Sequence, residues 1–579
     1  MRYRTTRLRR TRAATRVGAV LAALVLTTSA CGGGSDDGGG AADVEVGQNP
    51  EPQGSPQEGG SITVALEGET NGWLPGVSRA ASAGFNVLYA LYDPLVMQTG
   101  EGNYEPYLAE SVEPNEDFTA WTVTLRDGVT FHDGSDLTAD VIARNVALLK
   151  QPTSTLTGTL AELSGVDVID PLTVRYNLTR PNAAFPAILS STPGMPFSMQ
   201  NVDELGQDGA NANPVGTGPF VFDSWSRDDR LTVVANESYW GSDLDLGPYL
   251  DEIVFRPIPD EDTRLLTMQA GDIDAFQTLR GSTVGRAQDI AEDGELAMHT
   301  FVGNNAGTSI LNVLVPPLDD VRVRQALAHA ANQEQLIEVL GGTGLTPRQT
   351  QFFSEDSPFY SDNVAEAYPT YDPDRATELL QDYIDDPQRS DGKPVGSPVS
   401  LTYACQPDPS LSELAQAYQA FWNTVGFEVE LEAVEQAAHI SNAIGTPASV
   451  PPFAGDYVAN CWRSSGGGDP YNVLKTEFGP VEQQPQNFTN YTSDVITEQL
   501  RVLATTTDLE ARQEAVEKIG LDLAENVPIL WTASTVSLFG VDPAVQNVST
   551  WQLPGGSQGV GLGLNQGGVT MWGQVWLAE

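Results

Sequence analysis

The chain has 579 residues, of which 77 are acidic and 30 are Lys or Arg, and its formal net charge at pH 7 is −47. Such a surface repels nucleic-acid phosphates and lacks the cations that counterion release requires, which argues against a nucleic-acid partner. Hydrophobic residues make up 40% of the chain, and a length of this order buries more than one core, so we expect about two or three domains.

The N-terminal segment has the layout of a secretory signal peptide. Residues 1–16 hold seven arginines and no acidic residue, and Val17–Leu26 is an apolar run of ten residues. That run is too short to span a bilayer, which takes about 20 residues. Because a basic stretch, a short apolar run and small residues together form a signal peptide, we expect residues 1–30 to be removed on export.

Cys31 closes this segment in a sequence, Thr28-Ser29-Ala30-Cys31, that resembles a bacterial lipobox. In that motif the cysteine thiol is acylated, and cleavage leaves the cysteine as the new N-terminus. Thr28 stands where the motif usually has leucine, and an ordinary signal peptide with an incidental cysteine is the alternative. One acyl chain binds a membrane only marginally, so stable anchoring requires the multiply acylated form that the lipobox implies.

The segment after Cys31 is predicted to be a flexible linker. Residues 32–59 are dominated by glycine, serine, proline and acidic residues, which cannot repay the entropy of ordering by burial. We therefore expect residues 31–59 to be a lipidated cysteine and a linker that reaches on the order of 30 Å. Cys31 would hold a globular body on the outer face of the cell membrane.

Predicted strands dominate the first half of that body, because its apolar runs carry β-branched and aromatic residues between turn formers. The runs are SITVAL, AWTVTLRDGVTF, LTVRYNL, PFVFDSW, RLTVVA and DEIVFRPI. They predict a substantial content of β-sheet before residue 260.

Predicted helices lead the second half. Residues 320–341 are predicted as two helices joined at Asn332, and Ser410 and Glu413 have the spacing of a capping box for a helix that Gly426 ends. From SLTYAC to DYVANCW the predicted order is strand, helix, strand, helix, strand, which is typical of a parallel sheet covered by helices. The predicted fold class is therefore α/β.

Cys405 and Cys461 both lie at the carboxyl ends of predicted strands in that segment. Because an exported protein meets an oxidising environment, the two cysteines could form a disulfide. Two buried free thiols are the alternative, since cysteine packs well as a small hydrophobe.

Motifs for catalysis carry little weight in this sequence. Ser557 lies in a G-x-S-x-G match, but no histidine follows it and its surroundings are a glycine-rich loop, so a nucleophile elbow is not expected. The four histidines form no H-E-x-x-H motif, the cysteines lack zinc-site spacing, and no P-loop occurs. We therefore expect no enzymatic activity, no cofactor and no metal. A secreted lipoprotein hydrolase with Ser557 as nucleophile is the alternative.

Many short segments occur together in a familiar order. They include FTAWTVTLRDGVTFHDGSDLTADVI, NPVGTGPFVFDSW, PYLDEIVFRPIPDEDTRLLTMQAGDIDAF, PPLDDVRVRQALAHAANQEQLIEVL and ENVPILW. Over residues 59–579 the chain resembles the family 5 extracellular solute-binding proteins, the oligopeptide, dipeptide and nickel type that supply ABC importers. Each segment alone would be weak evidence for the family, and the resemblance is specific because the segments occur together in the same order.

The resemblance implies a periplasmic-binding-protein-like fold of two lobes in three domains, with mixed sheets covered by helices and a cleft that closes by hinge motion. The implied boundaries are 60–82, 215–305 and 530–579 for domain I, 83–214 for domain II and 306–529 for domain III. The solute would lie between domains I and III.

The segment NCWRSSGGGDPYNVL is the most informative about the solute. Trp462 and Asp469 match peptide-binding relatives, but the aspartate that holds a peptide's amino terminus in those relatives is missing near Ser465 and Gly466, and Arg463 follows the tryptophan. Either another acid supplies that charge or the solute is not a simple peptide. Cleft loops of relatives add five further candidate contacts, namely Tyr92, Phe352, Phe353, Asn487 and Tyr491. Each aromatic residue could instead be a core residue, and Arg463 a surface arginine.

The resemblance implies a monomeric substrate-binding lipoprotein without enzymatic activity. Its partners would be a peptide-like or other small solute, the permease subunits of an ABC importer, and the membrane through the lipid on Cys31. A signalling or chaperone lipoprotein on the same fold is a further alternative, and it would show no saturable binding of small molecules.

Overall fold

The computed structural model describes residues 49–578 apart from 79, 152–153, 157, 280, 344, 356, 407–408, 435–437, 440–441, 444–454, 466–467, 481–486 and 565–566, with backbone only at 304–305, 409–410, 463 and 465. The predicted signal peptide, Cys31 and most of the predicted linker lie outside these residues. The body, Val44–Glu579, is one compact unit. Among the described residues, we find no helix that combines the length and apolar character needed to cross a bilayer.

Strands and helices occur along the whole body. The strands are β1 Ser61–Leu66, β2 Val96–Gln98, β3 Tyr104–Pro106, β4 Ala109–Pro114, β5 Ala120–Leu125, β6 Leu163–Asp170, β7 Thr173–Leu178, β8 Phe220–Ser226, β9 Arg230–Ala235, β10 Glu252–Pro257, β11 Ala275–Thr278, β12 Ala297–Leu311, β13 Val399–Cys405, β14 Phe427–Ala433, β15 Ala459–Ser465, β16 Ile529–Val541, β17 Val545–Gln546 and β18 Trp576–Leu577. The helices are α1 Ser82–Leu91, α2 Ala139–Leu149, α3 Phe185–Leu189, α4 Met199–Ala212, α5 Glu261–Gln269, α6 Gly281–Glu292, α7 Val321–Ala330, α8 Gln333–Val339, α9 Asp362–Ala367, α10 Pro373–Ile384, α11 Pro409–Thr424, α12 Pro470–Phe478, α13 Asp494–Thr505 and α14 Leu509–Asn526.

A mixed ten-stranded sheet organises the body, in the order β14-β13-β15-β12-β16-β11-β1-β10-β9-β8. β13 pairs in parallel with both β14 and β15, as the strand–helix alternation predicted. β15 pairs antiparallel with β12, so the sheet as a whole is mixed. The predicted α/β class with mixed sheets and covering helices is confirmed.

Two long strands join the two halves of this sheet. β12 has 15 residues and β16 has 13, and they pair antiparallel from Ala297–Val541 to Ile310–Ile529. One end of the pair adjoins β11 and the other adjoins β15. The register shifts between Val302 and Ala306, so the ladder is interrupted where one half of the sheet passes into the other.

A second, antiparallel sheet of four strands, β4-β5-β7-β6, is built from residues 109–178. β5 alternates half-buried and buried positions along AWTVTL, with Trp121, Val123 and Leu125 on the buried side. That alternation is the signature of a strand with one face on a core. This sheet lies within the segment predicted as domain II, and the boundaries themselves stay a prediction.

Capping residues define several predicted helix ends. Asn332 accepts a hydrogen bond from the backbone N–H of Gln335 at 3.2 Å and separates α7 from α8, as predicted. α11 begins at Pro409, one residue before Ser410, so the predicted N-cap lies inside the first turn. Proline suits that turn because its missing N–H needs no partner there.

Candidate functional site

Trp462 lies on β15, opposite Thr308 of β12. Successive residues of a strand point to opposite faces: the preceding Cys461 belongs to a core under β13, and Trp462 to a different one. The Trp462 ring stacks on His439 with centroids 5.7 Å apart and meets Phe488 edge-on at 4.8 Å. We call His439, Trp462 and Phe488 the aromatic wall. Trp462 is half-buried.

Cys405 and Cys461 are joined by a disulfide, with their Cα atoms 5.2 Å apart. The structure thus decides between the two states that the sequence left open. The bond links the end of β13 to β15 immediately before Trp462, and it therefore helps to position the aromatic wall.

His439 is held in one tautomer by the same strand. Its Nε2 lies 3.0 Å from the carbonyl oxygen of Cys461, so Nε2 carries the hydrogen and donates. Burial lowers the pKa of His439, which favours the neutral ring. Nδ1 is then an acceptor, and it is buried without a hydrogen-bond partner among the described residues. The wall consequently offers an unused acceptor as well as aromatic surface.

Asp469 is engaged within the protein. Its carboxylate caps α12, accepting from the Tyr471 N–H at 2.8 Å, and forms a buried bidentate ion pair with Arg512 at 2.5 and 2.6 Å. Burial and the charge of Asp469 raise the pKa of Tyr104 on β3. We assign Asp469 to positioning α12 rather than to direct contact with a solute.

Glu477 lies near the other end of α12 and was not among the predicted site residues. Its carboxylate has no hydrogen-bond or ion-pair partner in the described part of the chain. Burial raises its pKa to about 8. Burial and the nearby Glu477 carboxylate raise the pKa of Tyr457, whose hydroxyl donates to the carbonyl of Phe488.

A sequence signal for Glu477 exists in α12. Val473, Leu474 and Phe478 are buried, and Glu477 falls on the same stripe at helical spacing. A glutamate on an apolar stripe departs from the amphipathic pattern. In a chain with 77 acidic residues, that departure is visible only once the helix boundaries are known.

The structure packs Phe352 and Phe353 into the interior. Phe352 meets Phe478 at 5.5 Å and Trp531 at 4.9 Å, both edge-on, and Phe353 packs on Phe359 at 5.7 Å. The cavity beside the two side chains has a volume of about 20 Å³, which holds about one water molecule. We leave both residues out of the proposed contact set.

Tyr92 is fully buried in a core. Gly216 and Gly218 pack closely against this part of the chain. A Cβ atom on Gly216 would lie 2.1 Å from the Leu91 oxygen, and one on Gly218 would lie 2.5 Å from the Leu91 carbonyl carbon. The two glycines of GTGPF are therefore required by close approach to the end of α1. Tyr92 is a core residue in this structure and is left out of the contact set as well.

Asn487 and Tyr491 both hold the loop before α13. The Asn487 amide donates to the carbonyls of Gly479 and Tyr491 at 2.9 and 2.8 Å. The Tyr491 hydroxyl donates to Asp522 at 2.9 Å. Because their polar groups are used in these contacts, we leave both outside the contact set. The side chain of Arg463 lies outside the described residues and stays a prediction.

Groups that could support catalysis are placed unfavourably. The hydroxyl of Ser557 donates to Glu105 at 2.9 Å instead of to a histidine. His299 contacts Ser549 at 2.8 Å, but both side chains are buried and burial lowers the pKa of His299 to about 4. Within the described ranges, no cluster of three or more His, Cys, Asp or Glu side chains is placed to hold a metal ion.

Solved structures of two bacterial proteins have the same architecture as this chain. The periplasmic binding protein DppA from Helicobacter pylori, solved with the peptide STSA, superposes with a TM-score of 0.70 at 22% identity, covering 90% of this chain and 99% of that chain. NikA from Brucella suis, solved with Fe(III)-EDTA, gives a TM-score of 0.72 at 20% identity, covering 90% and 100%. The fold is that of the periplasmic binding proteins.

The sequence comparisons identify the family. The "Dipeptide-binding protein" of Escherichia coli strain K12 is 26% identical over 510 residues, which are 82% of this chain and 90% of that protein. The model of the bacterial extracellular solute-binding proteins, family 5 Middle, matches residues 103–484. The chain belongs to this family, as the segment order predicted. These relatives are substrate-binding proteins and not enzymes.

Proposed function

We propose that this protein is a lipid-anchored receptor that captures a small solute between its lobes, beside Trp462, and delivers it to the permease of an ABC importer. The name of the Escherichia coli relative and the peptide in the Helicobacter pylori structure support a peptide-like solute. The Fe(III)-EDTA in the Brucella suis structure shows that the fold also accommodates a small chelate.

The aromatic wall is the observation that carries this proposal. Solute sites combine apolar and aromatic surface with a few polar groups that fix orientation. Trp462 and Phe488 supply the surface, while the His439 Nδ1 acceptor is a polar group that the described protein does not itself use.

Closure of the lobe formed by the predicted domain III against the predicted domains I and II is the proposed motion. The Ala183 N–H donates to the Ala504 carbonyl at 2.8 Å, and Lys475 pairs with Glu162 at 3.0 Å. Both contacts join residues 83–214 to residues 306–529 and support a closed form. The predicted boundary at 305/306 falls at the register shift of β12, where the long strands can flex with little loss of pairing.

Native mass spectrometry of the purified mature protein tests the proposal. We expect a small molecule that is carried through purification and released on denaturation. The Trp462→Ala variant should bind that molecule weaker by more than about tenfold, because a stacking surface in the site is lost. Trp225→Ala, a half-buried tryptophan that packs on Trp73, is the matched control and should bind normally. Equal affinity in the two variants would remove Trp462 from the site.

A further inference from the structure

A short segment of the predicted domain II, just before α3, docks on the end of a helix in the predicted domain III. The Ala183 N–H donates to the Ala504 carbonyl at 2.8 Å, and Ala504 lies in the last turn of α13. Carbonyls in the last turn of a helix have no partner within the helix. The neighbouring amides bond inside domain II, that of Asn182 to the Phe118 carbonyl and that of Ala184 to the Asn182 side chain. Among the described residues, the Ala183 amide therefore has its acceptor in the opposite lobe.

α12 supplies further contacts to domain II. Asn472 and Lys475 are three residues apart and therefore lie on one side of this helix. The Asn472 amide donates to the Ala184 carbonyl at 3.3 Å, and the Lys475 ammonium pairs with Glu162 at 3.0 Å. Ala184 is 2% exposed and packs in one hydrophobic cluster with residues of domain III. Hydrogen bonds, an ion pair and apolar packing thus join the two domains at one place.

The ion pair of Lys475 and Glu162 is largely withdrawn from water, since the two side chains are 16% and 15% exposed. Arg180 of domain II lies 3.4 Å from the other Glu162 oxygen. Removing Lys475 would leave the Glu162 charge poorly hydrated and short of a partner, and that cost arises only when the domains meet. Truncating Asn472 likewise leaves the Ala184 carbonyl without this donor only in the closed form. Both changes should therefore favour an open form.

We propose that these contacts form an interlobe latch, with which domain II stabilises the closed receptor. The members of the latch are Glu162, Ala183 and Ala184 on domain II and Asn472, Lys475 and Ala504 on domain III. This inference rests on the proposed function and deepens it, because it assigns to domain II the regulation of solute affinity. No member of the latch belongs to the aromatic wall. The latch therefore favours closure whatever the chemistry of the solute, and its loss should weaken the binding of different solutes by the same factor.

Hydrogen exchange at the Ala183 amide tests the latch without added solute. We measure it on the mature protein as purified, by mass spectrometry with fragmentation to single residues. In the wild-type protein this amide should be protected. In the double variant Asn472→Ala/Lys475→Met it should exchange about tenfold faster, because two contacts of the closed form are lost. Methionine keeps the apolar stem of the lysine, so the packing of α12 is retained.

The matched control is Asn363→Ala/Lys518→Met, which removes the same two kinds of side chain from exposed positions of domain III. Asn363 donates to Glu517 at 2.9 Å, and Lys518 pairs with Glu514 at 2.8 Å, so both contacts lie within that domain. This variant should keep the wild-type exchange rate at Ala183. Amides in the centre of the ten-stranded sheet should keep their rates in both variants, which excludes global unfolding as the cause.

Affinities for two probes distinguish a latch from a direct contact with the solute. Isothermal titration calorimetry with dialanine and trialanine gives the ratio of their dissociation constants. The Asn472→Ala/Lys475→Met variant should bind both probes more weakly by one common factor, about tenfold at most, and leave that ratio unchanged. A ratio that changes would show that these side chains touch the solute, and it would overturn the inference.

The outcomes also separate the latch from the receptor function. A small molecule carried through purification, together with an Ala183 amide that exchanges as fast as an exposed loop or equally fast in wild type and latch variant, overturns the latch and leaves the receptor function standing. Protection of Ala183 that the latch variant loses, together with no carried molecule and no binding of either probe, supports the contact between the domains and overturns the receptor function.

Discussion

Removing the disulfide between Cys405 and Cys461 should destabilise the lobe that contains the aromatic wall. The bond closes a loop of 56 residues. In the chain-entropy description, a loop of this length contributes about 4 kcal/mol at 25 °C by restricting the unfolded chain. Because the crosslink joins β13 to β15, the loss should appear in the unfolding of this lobe, and domain I should be affected much less.

The measurement is urea unfolding of the Cys405→Ser/Cys461→Ser double variant and of the wild-type protein, each with and without a phosphine reductant. Tryptophan fluorescence reports the lobe, since Trp422 and Trp462 lie within it. The reductant should lower the wild-type midpoint to that of the double variant and leave the variant unchanged. A loss below about 1 kcal/mol would refute the argument from loop entropy.

Three further predictions follow from other features of the chain. Replacing Asp469 by Asn leaves the Arg512 guanidinium buried without its counter-charge and should lower the free energy of unfolding in urea by about 3 kcal/mol. The control Asp203→Asn, in an exposed ion pair, should lower it by less than about 1 kcal/mol. Equal losses in the two variants would contradict the role assigned to Asp469. Glu477 has a pKa of about 8, above its usual value, so between about pH 4.5 and 8 the folded state holds a proton that the unfolded state has lost. The free energy of unfolding should therefore fall as the pH rises through this window, by up to about 1.4 kcal/mol per pH unit. Glu477→Gln should abolish that component, and parallel urea midpoints of variant and wild type across this window would contradict it. Cys31→Ser should move the protein from the membrane fraction into the medium, as immunoblots of the two fractions would show, and an unchanged membrane fraction would argue against lipidation.

Local structure was accessible from the sequence wherever short-range chemistry decides it. Asn332 caps α8 as predicted, and the side chain of Asp320 caps α7 by accepting from the Arg322 N–H at 2.9 Å. The predicted strands β13, β14 and β15 and the helix α11 between the first two are also found, while the predicted helix around QAAHISNAI lies largely outside the described residues. β12 was not predicted, because the segment GNNAG in its middle carries no apolar alternation. Its strand conformation depends on pairing with β15 and β16.

Large aromatic residues show why the solute contacts could not be predicted in the same way. Phe352, Phe353 and Trp462 were all candidate solute contacts in the sequence, and all are large and apolar. The structure closes the first two around a cavity of about 20 Å³, while Trp462 remains half-buried beside His439 and Phe488. Protein cores and binding clefts are both rich in large apolar residues, so only the three-dimensional packing distinguishes a core residue from a solute contact.

α12 shows the same distinction for charge. Asp469 and Glu477 lie at opposite ends of one short helix and carry the same carboxylate group. Asp469 meets a buried arginine and two hydrogen bonds from its guanidinium, whereas Glu477 meets no donor in the described chain and has a pKa of about 8. A carboxylate with an internal partner contributes its charge to folding, and that charge is not available to a solute. A carboxylate whose pKa is raised and that has no such partner holds a proton in the folded state instead, so it makes the stability depend on pH.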